Sequence, residues 1–128
     1  AAVAEVKGTV LKFEADNAYS VFATVNAAVA ASRTICDRVR EGNLSAVADD
    51  HIQVSMGIGY GPILLAEDDY FGDEVNQASK VGEDIARAGE VLLTEQALKA
   101  LRGKSHRIEA LDLSISGIHL QAGRLLLE

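Results

Sequence analysis

A polar turn that leads directly into an amphipathic helix lies at residues 67–86, EDDYFGDEVNQASKVGEDIA. Apolar residues recur every three or four positions, which predicts one buried helical stripe formed by Val75, Ala78, Val81, Ile85 and Ala86. Asn76, Lys80 and Asp84 share another face, so an amide and an amine point the same way. The junction at Gly72 is therefore a candidate ligand site, although the same pattern is typical of an ordinary solvated surface helix.

Composition limits the class of protein that this chain can be. The 128 residues are 48% hydrophobic, enough for one compact domain over residues 1–128, and no internal repeat suggests a second. The formal net charge is -7 with acidic and basic residues interspersed, which argues against nucleic acid as a partner. The apolar runs are too short to cross a bilayer, and no signal peptide begins the chain. We therefore expect a cytoplasmic domain that makes no membrane contact.

The remaining elements favour an α+β domain. Two β-prone runs, 9–13 and 18–22, flank a turn, and Thr24 is placed to cap a helix that ends near Arg40. The other expected elements are strands at 51–58, 63–66 and 90–94, a helix at 95–101 capped by Thr94, and two β-prone runs within 106–127 broken at Gly117 and Gly123. This order predicts helices packed on one face of a largely antiparallel sheet.

Three glycines follow one another at every second position from the end of the third predicted strand. Gly57, Gly59 and Gly61 leave one face of that strand without side chains. Another backbone or a flat ligand could therefore approach this face closely.

Two motifs stand in a fixed order on the hairpin and on the central helix. The hairpin reads KFEADNAYSVF at residues 12–22, and it resembles the Lys-x-x-Gly-Asp-x-x-x-x-x-Phe hairpin of class III nucleotide cyclases, the adenylate and guanylate cyclase catalytic domain. DYFGDEVNQASK at 69–80 resembles that family's Asp-x-x-Gly-x-x-Val-Asn-x-Ala-x-Arg motif, and MGIGYG at 56–61 stands where the family has its Gly-Ile-His-x-Gly strand end. The joint order and spacing make the match more specific than either motif alone.

The resemblance implies a fold and an assembly. The expected fold is α+β, a ferredoxin-like antiparallel sheet with helices on one face, and active sites form between two domains arranged head to tail. A homodimer is therefore the expected partner arrangement. The implied reaction is in-line attack of the ribose 3′-oxygen on the α-phosphorus of ATP, which yields cyclic AMP and expels pyrophosphate in intracellular signalling.

The resemblance also implies roles for five residues. Lys12 and Asp69 would contact the purine as the pair that favours adenine over guanine, since an ammonium donates to ring N1 and a carboxylate accepts from the exocyclic amine. Asp16 would be one of two carboxylates that hold Mg²⁺ or Mn²⁺, hard ions that need oxygen ligands. Asn76 would hold the ribose, and Lys80 stands where the family has the arginine that stabilises charge on the phosphate. GTP is the less favoured nucleotide.

Departures from the family pattern leave two hypotheses open. No counterpart of the family's first strand, which carries the other metal-binding aspartate, precedes the hairpin, and Ala15 replaces the glycine before Asp16. Lys80 lacks the planar fork of arginine, and no lysine matches the family's C-terminal lysine on the triphosphate, where His119 would substitute only in part. The chain is either an adenylate cyclase domain with little or no turnover by itself, or a non-catalytic cyclase-homology module for nucleotide binding or dimerisation.

Overall fold

The computed structural model describes residues 4, 8–14, 16–47, 50–66, 69–103, 106–115 and 117–127. The strands are β1 (Thr9–Glu14), β2 (Asn17–Val21), β3 (Met56–Ile58), β4 (Leu64–Ala66), β5 (Asp69–Phe71), β6 (Val91–Thr94), β7 (Ile108–Ile115) and β8 (Ile118–Leu125). The helices are α1 (Val25–Leu44), α2 (Asp73–Lys80) and α3 (Glu95–Ala100), and a π-helix, Val81–Ile85, continues α2. No helix in these ranges is both long and apolar enough to cross a membrane.

The strands form one central sheet and two hairpins. The central sheet has four strands in the order β3-β6-β8-β7, while β1–β2 and β4–β5 form separate two-stranded sheets. β3 pairs with β6 in parallel, with Met56 opposite Val91, whereas the other pairings are antiparallel. This combination of helices and largely antiparallel strands is the α+β class that the sequence predicts.

The core is built around β6. Val91, Leu92 and Leu93 are each at most 1% exposed, as expected for a strand that is covered on both faces. The principal cluster of buried side chains joins this strand to both flanking helices and to the end of β8; its members are Val25, Ala28, Val29, Ile58, Val91, Leu93, Ala97 and Leu125. The sheet therefore holds α1 and α3 in place through β6.

Two helices begin at the threonines that the sequence indicates. Thr24 Oγ1 accepts from the backbone amide of Ala27 at 3.1 Å, and Thr94 Oγ1 accepts from Ala97 at 3.1 Å. Each hydroxyl satisfies an amide that has no partner within its own helix. Both predicted caps are confirmed.

The sequence predictions for three segments before Gly72 need correction. α1 runs past Arg40 to Leu44, and the strand expected over 51–58 is confined to Met56–Ile58. Both differences involve Asn43, whose side chain donates to the Ile52 carbonyl at 2.8 Å and accepts from the Ile52 amide at 2.9 Å, so this backbone is bonded to the helix end instead of a strand. The polar turn before Gly72 contains the short strand β5, which pairs with β4.

The final hairpin turns at Gly117, which has a positive φ of 79° that glycine adopts without strain. Gly123, in contrast, does not break the second run. It lies buried inside β8, where Ile108 and Leu98 would contact any side chain at this position. A small residue is therefore needed there for packing.

His106 connects the segment before β7 to α1. Arg33 Nε donates to His106 Nδ1 at 3.1 Å, and Arg33 Nη2 donates to the carbonyl of Leu126 at 3.4 Å. Partial burial and, second, the Arg33 guanidinium lower the pKa of His106 from its ordinary 6.5. The neutral imidazole is therefore the form that the fold favours.

We expect acidification to weaken the fold through His106. Because the pKa is lower in the folded chain than in the unfolded one, the unfolded chain takes up the proton first as the pH falls below about 6.5, and the free energy of unfolding declines. Above that pH both states are neutral and the contribution is constant. Urea unfolding at about pH 7.5 and about pH 5.5 measures the loss. The variant His106→Gln should lose less stability over this interval; an equal loss would contradict the prediction.

Candidate functional site

Helix α2 and the π-helix cover the glycine face of β3. A Cβ on Gly57 would collide with the carbonyl oxygen of Ala78 and lie 2.8 Å from the amide nitrogen of Gly82, and a Cβ on Gly59 would lie 2.7 Å from the carbonyl oxygen of Glu74. The close approach predicted for this face is therefore made by another backbone. Since the later glycine meets the earlier turn of the helix, α2 runs antiparallel to β3, and its last turn lies beside the start of that strand.

The change from α- to π-helix has a specific cause. In a continuous α-helix the amide of Ala86 would bond to the carbonyl of Gly82. Ser55 Oγ donates to that carbonyl at 2.8 Å, and Ala86 N donates instead to Val81 O, also at 2.8 Å. The sequence prediction of one regular helix through Ala86 is wrong in this last turn, because Ser55, just before β3, bonds to the carbonyl that Ala86 would use.

The polar face of the helix is open to solvent. Asn76, Lys80 and Asp84 are all exposed, as the periodicity predicts, whereas Val81 on the apolar stripe is only 2% exposed. Lys80 is the last residue of α2. Its ammonium therefore stands on the accessible side of the helix end, where an anionic ligand could reach it.

A carboxylate in the π-helix contacts the β1–β2 hairpin. Glu83 Oε1 accepts from Asn17 Nδ2 at 2.7 Å and lies 3.4 Å from the donating Tyr19 hydroxyl. Asn17 begins β2 directly after Asp16, which is exposed in the hairpin turn. The turn that carries Asp16 and the helix end that carries Lys80 therefore lie at the same end of β3.

A second carboxylate anchors the beginning of α2. Glu74 Oε2 accepts from Thr94 Oγ1 at 2.7 Å and from the backbone amide of Tyr60 at 3.2 Å. Thr94 is only 5% exposed and also caps α3, so one hydroxyl serves both contacts. The helix with the candidate side chains is thus fixed at both ends, by Glu74 to the central sheet and by Glu83 to the hairpin.

The five sequence-predicted site residues fall on these elements. Asp16 lies in the hairpin turn, and Asn76 and Lys80 lie on the exposed face of α2. Lys12 on β1 and Asp69 at the start of β5 are placed by their backbones, and their side chains lie outside the described part of the chain. The sequence predictions omit Glu83, although it follows Asn76 and Lys80 at helical spacing.

One exposed carboxylate does not make a complete metal centre. Among the residues that the structure describes, no three His, Cys, Asp or Glu side chains come together as a group that could hold a metal ion. Asp16 in its turn suits one position in the shell of a hard divalent ion. The described residues do not complete the two-ion site that the resemblance implies.

A separate groove of about 560 Å³ lies at the opposite end of β3. Its lining includes Tyr60, Asn26 and Lys99, and, of the predicted site residues whose side chains the structure describes, it includes none. Lys99 pairs with Glu95 at 3.1 Å, so part of the positive charge of this groove is offset locally. The groove is distinct from the end where Asp16 and Lys80 lie.

Solved structures share this arrangement over nearly the whole chain. An adenylate/guanylate cyclase/hydrolase from Silicibacter pomeroyi has a TM-score of 0.84 and 23% identity, with 98% of this chain and 76% of that chain covered. The guanylate cyclase domain from Catenaria anguillulae has a TM-score of 0.80 and 16% identity over 98% and 76%. An adenylate cyclase from Trypanosoma brucei has a TM-score of 0.74 and 20% identity over 98% and 73%. The fold is therefore that of the nucleotide cyclases.

The sequence assigns the family directly. The family described as the adenylate and guanylate cyclase catalytic domain matches residues 10–122. No curated protein sequence matched the chain. Because the family match extends over most of the sequence, the chain belongs to the adenylate and guanylate cyclase catalytic domain family, and the predicted resemblance is confirmed.

Proposed function

We propose that this chain is the catalytic domain of an adenylate cyclase, which converts ATP to cyclic AMP and pyrophosphate in cytoplasmic signalling as a homodimer. The chain belongs to the cyclase catalytic domain family. The observation that carries the proposal is the hydrogen bond between Asn17 and Glu83, which holds the turn of Asp16 against the helix of Asn76 and Lys80. Related domains have been solved with purine nucleotides: a rhodopsin-guanylyl cyclase of converted specificity with ATPαS, and the Catenaria anguillulae domain with GTP. A purine nucleoside triphosphate is thus the substrate class that suits the fold.

Base selection would fall to Lys12 and Asp69. A lysine ammonium donates to the acceptor N1 of adenine, and a carboxylate accepts from its exocyclic amine. Guanine presents a donor at N1 and an acceptor at C6, so both contacts would be mismatched. This pair therefore favours ATP over GTP.

The helix would bind the sugar and the phosphates. The Asn76 amide would hold the ribose so that the 3′-oxygen lies in line with the α-phosphorus, and the exposed Lys80 ammonium would offset negative charge on the phosphate. A lysine is a compact charge and cannot grip two phosphate oxygens as the family's arginine does, so turnover should be slower.

Asp16 would hold one coordination position of Mg²⁺ or Mn²⁺. When bound, such an ion neutralises charge on the phosphates and makes the ribose hydroxyl more acidic. Its other ligands would come from the nucleotide or from groups outside the described residues. We expect little or no turnover from this chain by itself.

Cyclic nucleotide production from ATP and from GTP with Mn²⁺ tests the proposal. The assay should use this chain and a longer chain that is extended at its N-terminus. We expect cyclic AMP from the longer chain and a loss of about 100-fold or more in kcat on Asp16→Ala, since a metal ligand is removed. The variant Asp37→Ala, at an exposed acid of α1, is the control and should keep the parent rate. Equal turnover of ATP and GTP would contradict the assigned base contacts.

A second candidate function is a non-catalytic cyclase-homology module that binds a purine nucleotide or dimerises. Two observations favour it: lysine stands at position 80, and Asp16 has no described group of acidic neighbours around it. Nucleotide binding without product in either chain would establish this candidate over the enzyme.

A further inference from the structure

The β1–β2 hairpin needs tertiary contacts to hold its position. It forms a two-stranded sheet of its own, and isolated hairpins of this kind are only marginally stable in water. Two of its described apolar side chains offer limited help, since Phe13 is 77% exposed and Val10 is 43% exposed. Polar contacts to neighbouring elements must therefore help to fix the position of the hairpin turn.

Glu83 supplies such contacts beside the turn. Two hairpin side chains, Asn17 and Tyr19, donate to the same oxygen, and the shorter bond of 2.7 Å comes from the residue that directly follows Asp16. A hydrogen bond to an ionised acceptor is stronger than a neutral one, so a carboxylate is an effective group for this position.

Glu83 also lies close in sequence to the candidate side chains of α2. It stands in the π-helix that continues α2, three residues after Lys80 and seven after Asn76. The contact of Ser55 with the Gly82 carbonyl fixes the π-helix at the residue before it. One carboxylate therefore links the orientation of this helix to the position of the hairpin.

We propose that Glu83 is a positioning residue that fixes the hairpin of Asp16 against the helix of Asn76 and Lys80. The proposal rests on the proposed function, because the distance between these groups matters only if they bind one nucleotide. In this role Glu83 would act through its bonds to Asn17 and Tyr19 and would touch no reacting atom. Its effect reaches the nucleotide through the placement of Asn17 and the turn beside it.

Two measurements on the full chain test this role. Calorimetric titration of ATP in the presence of Mn²⁺ gives the affinity, and hydrogen exchange of the β1–β2 amides reports how firmly the hairpin is held. On Glu83→Ala we expect the affinity to fall on the order of tenfold and the hairpin amides to exchange faster, with α1 and the central sheet unchanged. Glu83→Gln keeps an oxygen that accepts from Asn17 but loses the charge, so it should recover part of both quantities and lie between the parent and Glu83→Ala.

Two further variants separate positioning from a general loss of stability. Asp37→Ala removes an exposed acid of α1, outside the candidate site, and should bind ATP as the parent does. Asn17→Asp leaves the π-helix intact but sets a second carboxylate against Glu83, and it should weaken binding as Glu83→Ala does. Thermal unfolding of each variant confirms that the domain is folded during the titration.

The outcomes distinguish this proposal from the proposed function. If the parent binds ATP and Glu83→Ala binds it equally well, the positioning role is wrong and the function stands. If Glu83→Gln binds as weakly as Glu83→Ala, the hydrogen bond to Asn17 is not what matters, and the proposal is again wrong. If the parent binds neither ATP nor GTP, the proposed function fails, and the exchange of the hairpin amides alone decides whether Glu83 holds the hairpin.

Discussion

Replacement of Gly57 by alanine lowers the free energy of unfolding by about 3 kcal/mol, because the added methyl group would enter space that the helix backbone occupies. The methyl carbon would collide with the Ala78 carbonyl oxygen, lie 2.8 Å from the Gly82 amide nitrogen and 3.0 Å from Val81 Cγ2. The first two are backbone atoms, which cannot rotate away as the end of a flexible side chain can. Relief requires the whole helix to move off β3.

Urea unfolding followed by circular dichroism measures this loss, and Gly42→Ala is the matched control. Gly42 lies within α1, where an added Cβ would meet nothing within 4 Å. Alanine is a better helix former than glycine, so this variant should gain about 0.5 to 1 kcal/mol. The two glycine-to-alanine changes should therefore have opposite signs. A loss below about 1 kcal/mol for Gly57→Ala would show that the helix can shift cheaply.

Thr94→Val should cost about 3 kcal/mol, since the nearly isosteric side chain loses a hydroxyl with two partners. The hydroxyl caps α3 through Ala97, and a lost cap costs about 1 kcal/mol. It also donates to Glu74, and a hydrogen bond to a charged group contributes about 1.5 to 3 kcal/mol. Thr94 is buried, so water does not easily replace the hydroxyl.

Thr24→Val provides the comparison, because Thr24 caps α1 in the same way but is exposed and has no described carboxylate partner. We expect it to lose about 1 kcal/mol, and Thr94→Ser to stay close to the parent. The shift of the denaturant midpoint, at an unchanged m-value, gives the change in the free energy of unfolding for each of the three variants. Equal losses for the two valine variants would mean that the bond to Glu74 contributes nothing to stability.

The elements with local signals were predictable from the sequence. Thr24 and Thr94 cap the helices they precede, and the turn near Asp16 separates two strands, because these features depend on residues a few positions apart. The exposed faces of Asn76 and Lys80 follow from helical spacing alone.

The features that sequence reasoning missed depend on contacts between distant residues. β3 is short because the backbone of Ile52 bonds to Asn43, and the π-helix forms because Ser55 takes the carbonyl of Gly82, 27 residues along the chain. Glu83 has partners 66 and 64 residues away. No local pattern identifies such pairs, so the connection between the two parts of the site emerges only from the three-dimensional structure.

The contact between Gly57 and Gly82 limits how the domain can move. Packed elements slide past one another in small shear motions when the side chains between them can change rotamer. Here the backbones meet directly, with no side chain between them to rearrange, so α2 and β3 behave as one rigid body. Any relative displacement of the site's two parts would therefore have to come from the hairpin, which residues 22–24 join to α1 and which the bonds to Glu83 restrain.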